Sequence, residues 1–489
     1  MKYRLTVVVI LACACVACSP IGPDYVRPTM DTPDSWKSTP GADPITWSTS
    51  NPQDAVPKSD WWTIFGDEKL NELEEQCITN NQNLKAAIAK IDQAKAQYGV
   101  QSAALLPTIQ GRAAVGNTRI SANRPLQNSP TNQSTIQDDW VPYISASYEF
   151  DWLGKIRRSV EAANDTLQQV TAEKENVQLI LTGQVADSYF RIRQIDDELK
   201  AMTDTIGLQE KVLNLITKRH DLGASSEVDL VQQAALTEAT KAQIELLRGI
   251  RNQLEDTLAT LTGVPAPDFK LAAGSLPKNP PVIPVSVPST LLERRPDIAA
   301  AERAMAAANA QIGVAKAAYF PTLALTPTYF GYESRSLPSL FSIPSTIWAL
   351  GIAATQTIFD GGKTSSIVDY ANATYTLATA NYKQTVLAGI QDAQDALGNV
   401  QQLKLARTNE DKSLANLNRA YELSLIRYKA GLDNALTLAL VQQNQMAAIR
   451  LQAQIKGSQF ASTVGLIKAL GGSWENVPQK IAQDPQLIQ

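Results

Sequence analysis

A chain of 489 residues with a formal net charge of −4 and one histidine gives no electrostatic reason to expect a nucleic-acid partner. Aromatic residues make up 6% of it, thin material for a dense globular core, whereas the heavy use of Ala, Gln, Asn and Thr suits long helices packed through small side chains. The length alone would suggest about three domains, but an internal duplication argues for one body built from two halves.

The first segment is a targeting signal over residues 1–17. Lys2 and Arg4 form a positive region, and Leu5 to Val16 is apolar but too short to span a bilayer. Three of the four cysteines, Cys13, Cys15 and Cys18, close this segment. Val16-Ala17-Cys18-Ser19 fits a lipoprotein cleavage site, and Ile10-Leu11-Ala12-Cys13 competes with it. Cys18 is favoured because the polar, Pro-rich sequence begins right after it, and a covalent lipid there would be the chain's one attached group. Cys77 is then the only other cysteine of the mature chain and is expected to be a small buried hydrophobe. No later stretch is apolar enough for a transmembrane helix.

An arm over 18–66 leads into a first repeat over 67–263. The pattern from 107 to 152 reads as a β-hairpin around a loop rich in Ser, Asn and Pro. Ile109, Ala113 and Val115 alternate with Gln110 and Arg112. Ile144, Ala146, Tyr148, Phe150 and Trp152 alternate with Ser145, Ser147, Glu149 and Asp151. A long helical hairpin follows over 155–262. Its first helix, to about residue 219, has apolar or small positions at alternating steps of three and four: Ala163, Leu167, Val170, Lys174, Val177, Leu181, Gln184, Ser188, Ile192, Ile195, Leu199, Met202 and Ile206. Gly223 marks the turn.

A Pro-rich connector over 264–293 cannot be a regular helix. The second repeat, over 294–472, has a β-hairpin at 321–360, in which Leu323, Leu325 and Tyr329 alternate with Thr322, Thr326 and Thr328. A helical hairpin over 363–470 turns at Gly431, and 473–489 is a tail. The duplication is visible residue by residue. Gln97-Tyr98-Gly99-Val100 answers Gln311-Ile312-Gly313-Val314, Phe150-Asp151 answers Phe359-Asp360, and Arg219 and Gly223 answer Arg427 and Gly431.

The strand alternation fits either a half-buried sheet or a membrane barrel wall, apolar outside and polar inside, with Tyr143, Tyr148, Trp152, Tyr329, Tyr332 and Trp348 available for aromatic girdles. Four strands cannot close a barrel, and an open edge in lipid leaves backbone groups without partners. Three chains would give twelve strands. No catalytic constellation is present. His220 stands alone beside a turn, and there is no metal-ligand spacing or phosphate-binding loop.

Four motifs then carry a family resemblance: Cys18 followed by Gly22-Pro23-Asp24-Tyr25-Val26-Arg27-Pro28; Trp61-Trp62-Thr63-Ile64-Phe65-Gly66-Asp67; Leu292-Glu293-Arg294-Arg295-Pro296-Asp297-Ile298; and Arg427-Tyr428-Lys429-Ala430-Gly431. With these the chain resembles the outer-membrane factor family of TolC-like efflux ducts, within it the OprM- and NodT-type lipoproteins. The resemblance implies a mainly α fold with a membrane β-barrel, a homotrimer with twelve strands, and an α-helical barrel in the periplasm. It also implies a passive, non-enzymatic outer-membrane duct served by a periplasmic adaptor (membrane fusion protein) and an inner-membrane transporter. A connector that belts the tunnel is implied as well. The alternative is a lipid-anchored periplasmic scaffold or tether that conducts nothing.

In such ducts the helical tips constrict the entrance. Arg427 and Tyr428 match the motif before the second turn, and Asp229 matches an acidic partner in the first half; the alternative is that Arg427 and Tyr428 only cap and pack a helix end. Where relatives often carry aspartates, this chain has Thr437 and Leu440. Leu436 keeps the usual apolar residue and Asp433 is the nearest remaining acid. A hydrophobic constriction is therefore expected.

Overall fold

The computed structural model describes residues 20–29, 33, 35–37, 60–121, 135–283 and 294–472. Cys13 and Cys18 lie outside the described residues, as does the tail. The chain divides into two compact units.

The first unit comprises Met1–Pro28, Ile91–Val170 and Ala301–Tyr382. It holds β1 (Thr108–Ile120), β2 (Thr135–Ser147), β3 (Glu149–Phe150), β4 (Thr322–Leu325), β5 (Thr328–Tyr332), β6 (Thr346–Ala349) and β7 (Ile352–Thr355). These seven strands are four passes of the chain. β1 is the first, β2 and β3 the second, β4 and β5 the third, and β6 and β7 the fourth. They lie side by side in the orders β1-β2-β5-β6 and β3-β4-β7, all antiparallel.

Register assigns the two faces, because directly paired residues share one. Gly111, Ile144, Phe330 and Trp348 form one cross-strand row, with Ile109 and Val115 on the same face. Ile109, Val115, Ile144, Phe330 and Trp348 are all exposed. Gln110, Ser145 and Tyr329 form the opposite row, where Arg112 Nη1 donates to Tyr143 Oη at 3.3 Å. Two expectations need correction here. Tyr143 and Tyr329 stack on each other, centroids 5.6 Å apart, on the polar face rather than in an outer girdle. The third pass also does not keep its parity. Ala146 pairs with Thr328 but Glu149 with Ala324, and Tyr329 with Ala349 but Leu325 with Ile352. Both neighbours thus place one extra residue at Thr326-Pro327. Pro327 has no N–H to give to a ladder, and the bulge turns Phe330 instead of Tyr329 to the side of Leu323.

Residues 20–28 are stapled along the helices of this unit. Gly22, with φ of +104°, lies so close to Gly313 that an added Cβ would meet its Cα at 2.6 Å. Arg158 donates to Asp24 at 2.7 Å and to the Ile21 carbonyl at 3.3 Å, Tyr25 donates to Glu302 at 3.1 Å, and Asn309 donates to the Pro23 carbonyl at 2.9 Å.

The second unit comprises Thr29–Lys90, Thr171–Ala300 and Lys383–Gln489. Its helices in chain order are α1 (Glu68–Asn80), α2 (Gln82–Ala103), α3 (Lys155–Asp221), α4 (Glu227–Thr262), α5 (Pro296–Ala317), α6 (Lys363–Lys429) and α7 (Ala435–Ala469), several of which begin or end in the first unit. The 67-residue α3 is about 100 Å long at 1.5 Å per residue. Its apolar seam is broader than the sequence spacing suggests. Gln184 is exposed, while Leu181 to Gly183 and Val185, Ala186, Ser188, Tyr189, Phe190, Ile192 and Arg193 are buried. The extra cover comes from Trp61, Trp62, Phe65 and Leu73, which join Phe190 and Phe460 in one apolar cluster. Gly66 ends the aromatic turn with φ of +64°, and Asp67 caps α1 through the amides of Lys69 and Leu70 while accepting from Tyr189 Oη at 2.6 Å.

The connector is a strap rather than a free linker. Arg251 donates to the Leu271 carbonyl at 2.7 Å and Arg193 to that of Ala272 at 2.6 Å. Glu255 accepts from the Leu271 amide and Asp196 from that of Gly274. Side chains on helices thereby satisfy backbone groups that proline-rich chain cannot pair by itself. Residues 284–293 lie outside the described residues.

Cys77 is buried and unbridged, its thiol pushed up to about 12 by burial and by Glu74. Glu74 is fully buried, and neither carboxylate oxygen has a hydrogen-bond partner among the described residues. Desolvation raises its pKa well above the ordinary 4.5. The folded chain therefore holds this proton more tightly than the unfolded chain, so folding stability falls as pH rises above 4.5, until the folded-state value is passed. Glu74→Gln should remove this slope, so that its stability relative to wild type rises from pH 5 to pH 8. Thermal unfolding of the two proteins in detergent from pH 5 to 8 checks it, and curves that stay parallel contradict it.

Candidate functional site

The two helical hairpins of the second unit end in turns of the same construction. At the first, Gly223 has φ of +72°, the Gly223 amide donates to the His220 carbonyl at 2.8 Å, and the Ala224 amide donates to that of Arg219 at 2.7 Å. At the second, Gly431 has φ of +74°, with Gly431 bonded to Tyr428 at 3.0 Å and Leu432 to Arg427 at 2.9 Å. Only glycine adopts this left-handed residue without strain, so both glycines are fixed by the turn.

The helices that leave the turns are capped differently. Ser226 caps α4 in a reciprocal box: its hydroxyl accepts from the Asp229 amide, and Asp229 accepts from the Ser226 amide at 3.2 Å and from the Ser225 hydroxyl at 3.0 Å. Burial works against the Asp229 charge, but these bonds outweigh it and hold the carboxyl below the usual range. Asn434 caps α7, accepting from both the amide and the hydroxyl of Thr437 at 2.9 and 2.8 Å. The Asn434 amide, helped by Thr437 and Arg427, likewise lowers the Asp433 carboxyl.

Within the chain, Asp229 and Arg427 are not joined. Arg427 pairs with Asp433 of its own turn, Nε to Oδ2 at 3.4 Å, and reaches the Leu432 carbonyl at 3.5 Å. The tie between the two hairpins is instead Arg219 with Tyr428. Nη1 of Arg219 donates to the Tyr428 carbonyl at 2.8 Å, and its guanidinium carbon lies 5.0 Å from the Tyr428 ring centroid. Arg219 is the repeat equivalent of Arg427, so the offset of 208 already marked it. What the pattern does not reveal is that one arginine of the pair crosses to the other hairpin while the other stays at home.

Around this tie Val212 and Ile216 of α3 pack with Tyr421 and Tyr428 of α6 and with Ala435 and Leu438 of α7. The seam is incompletely bonded. The Tyr428 hydroxyl, the Ser424 hydroxyl and Gln233 Nε2 are buried without a hydrogen-bond partner among the described residues. Leu432, Leu436 and Leu440 are half exposed or more, and Leu436 and Leu440 are one helical turn apart on α7. His220 sits 3.8 Å from Asp221. Among the described residues, no group of three His, Cys, Asp or Glu side chains is placed to hold a metal ion, and no helix is long and apolar enough to cross a membrane.

Known proteins resemble this chain in sequence and in fold. The chain is 31% identical over 471 residues to the pyoverdine export outer membrane protein OpmQ of Pseudomonas putida, covering 95% of this chain and 96% of the relative. It is 30% identical over 472 residues to the toluene efflux pump outer membrane protein TtgF of the same species, covering 96% of each. Its structure matches the CmeC outer membrane channel of Campylobacter jejuni with a TM-score of 0.86 at 25% identity, over 96% of this chain and all of that one. The family model for the outer membrane efflux protein matches residues 73–264 and 287–472, the two repeats with their helical hairpins. The chain belongs to the outer membrane efflux protein family.

Proposed function

We propose that the chain is one third of a passive export duct: a homotrimer whose sheets close a twelve-stranded barrel in the outer membrane, and whose helices form a periplasmic passage fed by an adaptor and an inner-membrane pump. The observation that carries this is the sheet of the first unit. Its exposed face is apolar from Ile109 to Trp348, which suits lipid and not water, and its opposite face is polar. β1 and β6 are its edges. In hydrocarbon an edge must be paired, so four strands need further copies of themselves. A periplasmic scaffold has no use for such a face, and this weighs against the tether reading. An acyl chain on Cys18 adds a second anchor.

The gate reading rests on the tips. At the tips Arg219 and Tyr428 join the two hairpins of one chain, while farther from the tips Arg450 bonds Glu198 and Gln243 and Lys456 bonds Asp197 across them, so opening the tips breaks the Arg219 tie and not the whole seam. Thr437 and Leu440 stand where the resemblance places aspartates, Leu436 keeps an apolar residue beside them, and Asp433 is engaged by Arg427. Solutes passing the constriction meet apolar side chains. Asp229 serves as a helix cap here.

Native mass spectrometry of the detergent-solubilised protein should give three chains, each with a lipid-modified Cys18; a monomer that still inserts and conducts would sink the shared barrel. Arg219→Ala removes a charge-assisted bond of about 1.5–3 kcal/mol, three times per trimer. It should raise single-channel conductance in planar bilayers several-fold. Asp229→Ala should cost about 1 kcal/mol of stability and leave conductance near wild type. Leu440→Asp should raise cation selectivity. If Arg219→Ala and Leu440→Asp both conduct like wild type, the constriction lies elsewhere.

A further inference from the structure

The loop between β5 and β6 does not look like a solvated hairpin tip. From Ser336 to Ser345 it carries no charged residue, and its sequence, Ser-Leu-Pro-Ser-Leu-Phe-Ser-Ile-Pro-Ser, holds Leu337, Leu340, Phe341 and Ile343 among its serines and prolines. Leu340 is buried beneath the loop, but Phe341 is 73% exposed and Ile343 90% exposed. In water such exposure is costly at about 25 cal/mol per Å² of apolar surface.

Two further observations say what covers these side chains. The first is position. Phe330 and Tyr332 both lie on the outer face of the sheet, their centroids 6.2 Å apart, and Phe341 folds back to pack edge-to-face with Tyr332, centroids 5.2 Å apart. The loop thus extends the apolar outer face instead of capping the polar one. The face itself changes character at this level. Ser334 bridges to Trp140, and two residues further along β2 the outer face becomes polar, with Asn117 donating to Asp138 at 2.7 Å. The loop therefore lies at the boundary between the apolar band and the polar rim.

The second observation is how its backbone is satisfied. Irregular chain is excluded from the hydrocarbon core, and at its boundary each polar group that finds a partner lowers the cost. Here serines supply several of them. Ser334 Oγ accepts from the Ser336 amide and donates to its carbonyl, Ser339 Oγ lies 2.7 Å from the hydroxyls of both Ser334 and Ser336, and the Ser342 and Ser345 hydroxyls donate to the Ser339 carbonyl at 2.7 and 2.9 Å. Two short turns close further bonds, Leu340 to Leu337 and Ser345 to Ser342.

We infer that residues 336–345 form a membrane-seated loop that inserts Phe341 and Ile343 among the acyl chains of the outer leaflet, at the level of the headgroup boundary. This rests on the barrel reading, in which the apolar face borders lipid. The loop then fixes the depth of the barrel in the bilayer by the same interfacial preference that places aromatic belts.

The test uses the full-length protein reconstituted in phosphatidylethanolamine–phosphatidylglycerol vesicles. Ile343→Cys is labelled with an environment-sensitive nitrobenzoxadiazole probe, Cys77 being buried. Leu350→Cys, on the exposed face of the fourth pass, is labelled in parallel. The 343 probe should show blue-shifted emission, at least twofold stronger quenching by a shallow than by a deep nitroxide lipid, and little quenching by aqueous iodide. A water-like spectrum quenched by iodide and not by nitroxide lipids overturns the insertion. So does a probe shielded from both quenchers, which would mean that the loops pack on one another. The 350 probe separates the two levels of the account. If it too fails to sense lipid, the barrel reading has failed; if it alone senses lipid, only the loop assignment has.

Discussion

The backbone of a β-strand must bond on both sides, and this requirement governs the rest of the molecule. The four passes of the first unit satisfy each other except along the outer sides of β1 and β6 and of β3 and β7, and their exposed face is too apolar for water. In the proposed barrel such a sheet is covered by lipid and closed by further copies of the chain. The duplication supplies two passes from each half, so under that proposal every chain contributes an arc and none a whole barrel. The membrane reading follows from this geometry, and membership of the outer membrane efflux protein family agrees with it.

The irregular segments obey the same accounting by other means. Residues 20–28 and the connector after α4 have little regular structure of their own, yet charged side chains on the helices meet their backbone groups. Arg158 holds the Ile21 carbonyl, and Arg193, Arg251, Asp196 and Glu255 hold the residues from 271 to 274. Buried ion pairs among these residues add little net stability. Their larger effect is to fix where the straps lie, because a displaced strap would leave arginine and carboxylate groups unpaired in the interior.

Much of this was legible in the chain. Helix ends were readable because Gly223 and Gly431 follow long stretches without proline, and α3, which ends at Asp221, stops within about two residues of the end expected near 219. Cys77 is buried as its isolation suggested. The third pass was misread because alternation is a count, and one inserted residue at Thr326-Pro327 reverses it; a proline inside a strand pattern was the available warning. Gln184 was assigned to the seam of α3 because the period cannot see which other segments cover a helix. At the tips, Asp229, Arg427 and Tyr428 were found as residue types at the right spacing, but spacing does not choose partners. Asp229 has two serines within reach, and Arg219 reaches across to Tyr428 because the hairpins pack through Ile216 and Leu438.

Amide hydrogen exchange on the edge strands tests the central claim most directly, because it reads the backbone groups that the account requires to be paired. In detergent micelles, the amides of β1 and β6 that make no bond within the chain should exchange as slowly as those of the central β2 and β5, and should lose that protection when the assembly is dissociated to single chains. Edge amides that exchange at the rate of an unstructured peptide in the intact protein would show that the sheet stays open, and the shared barrel would be contradicted.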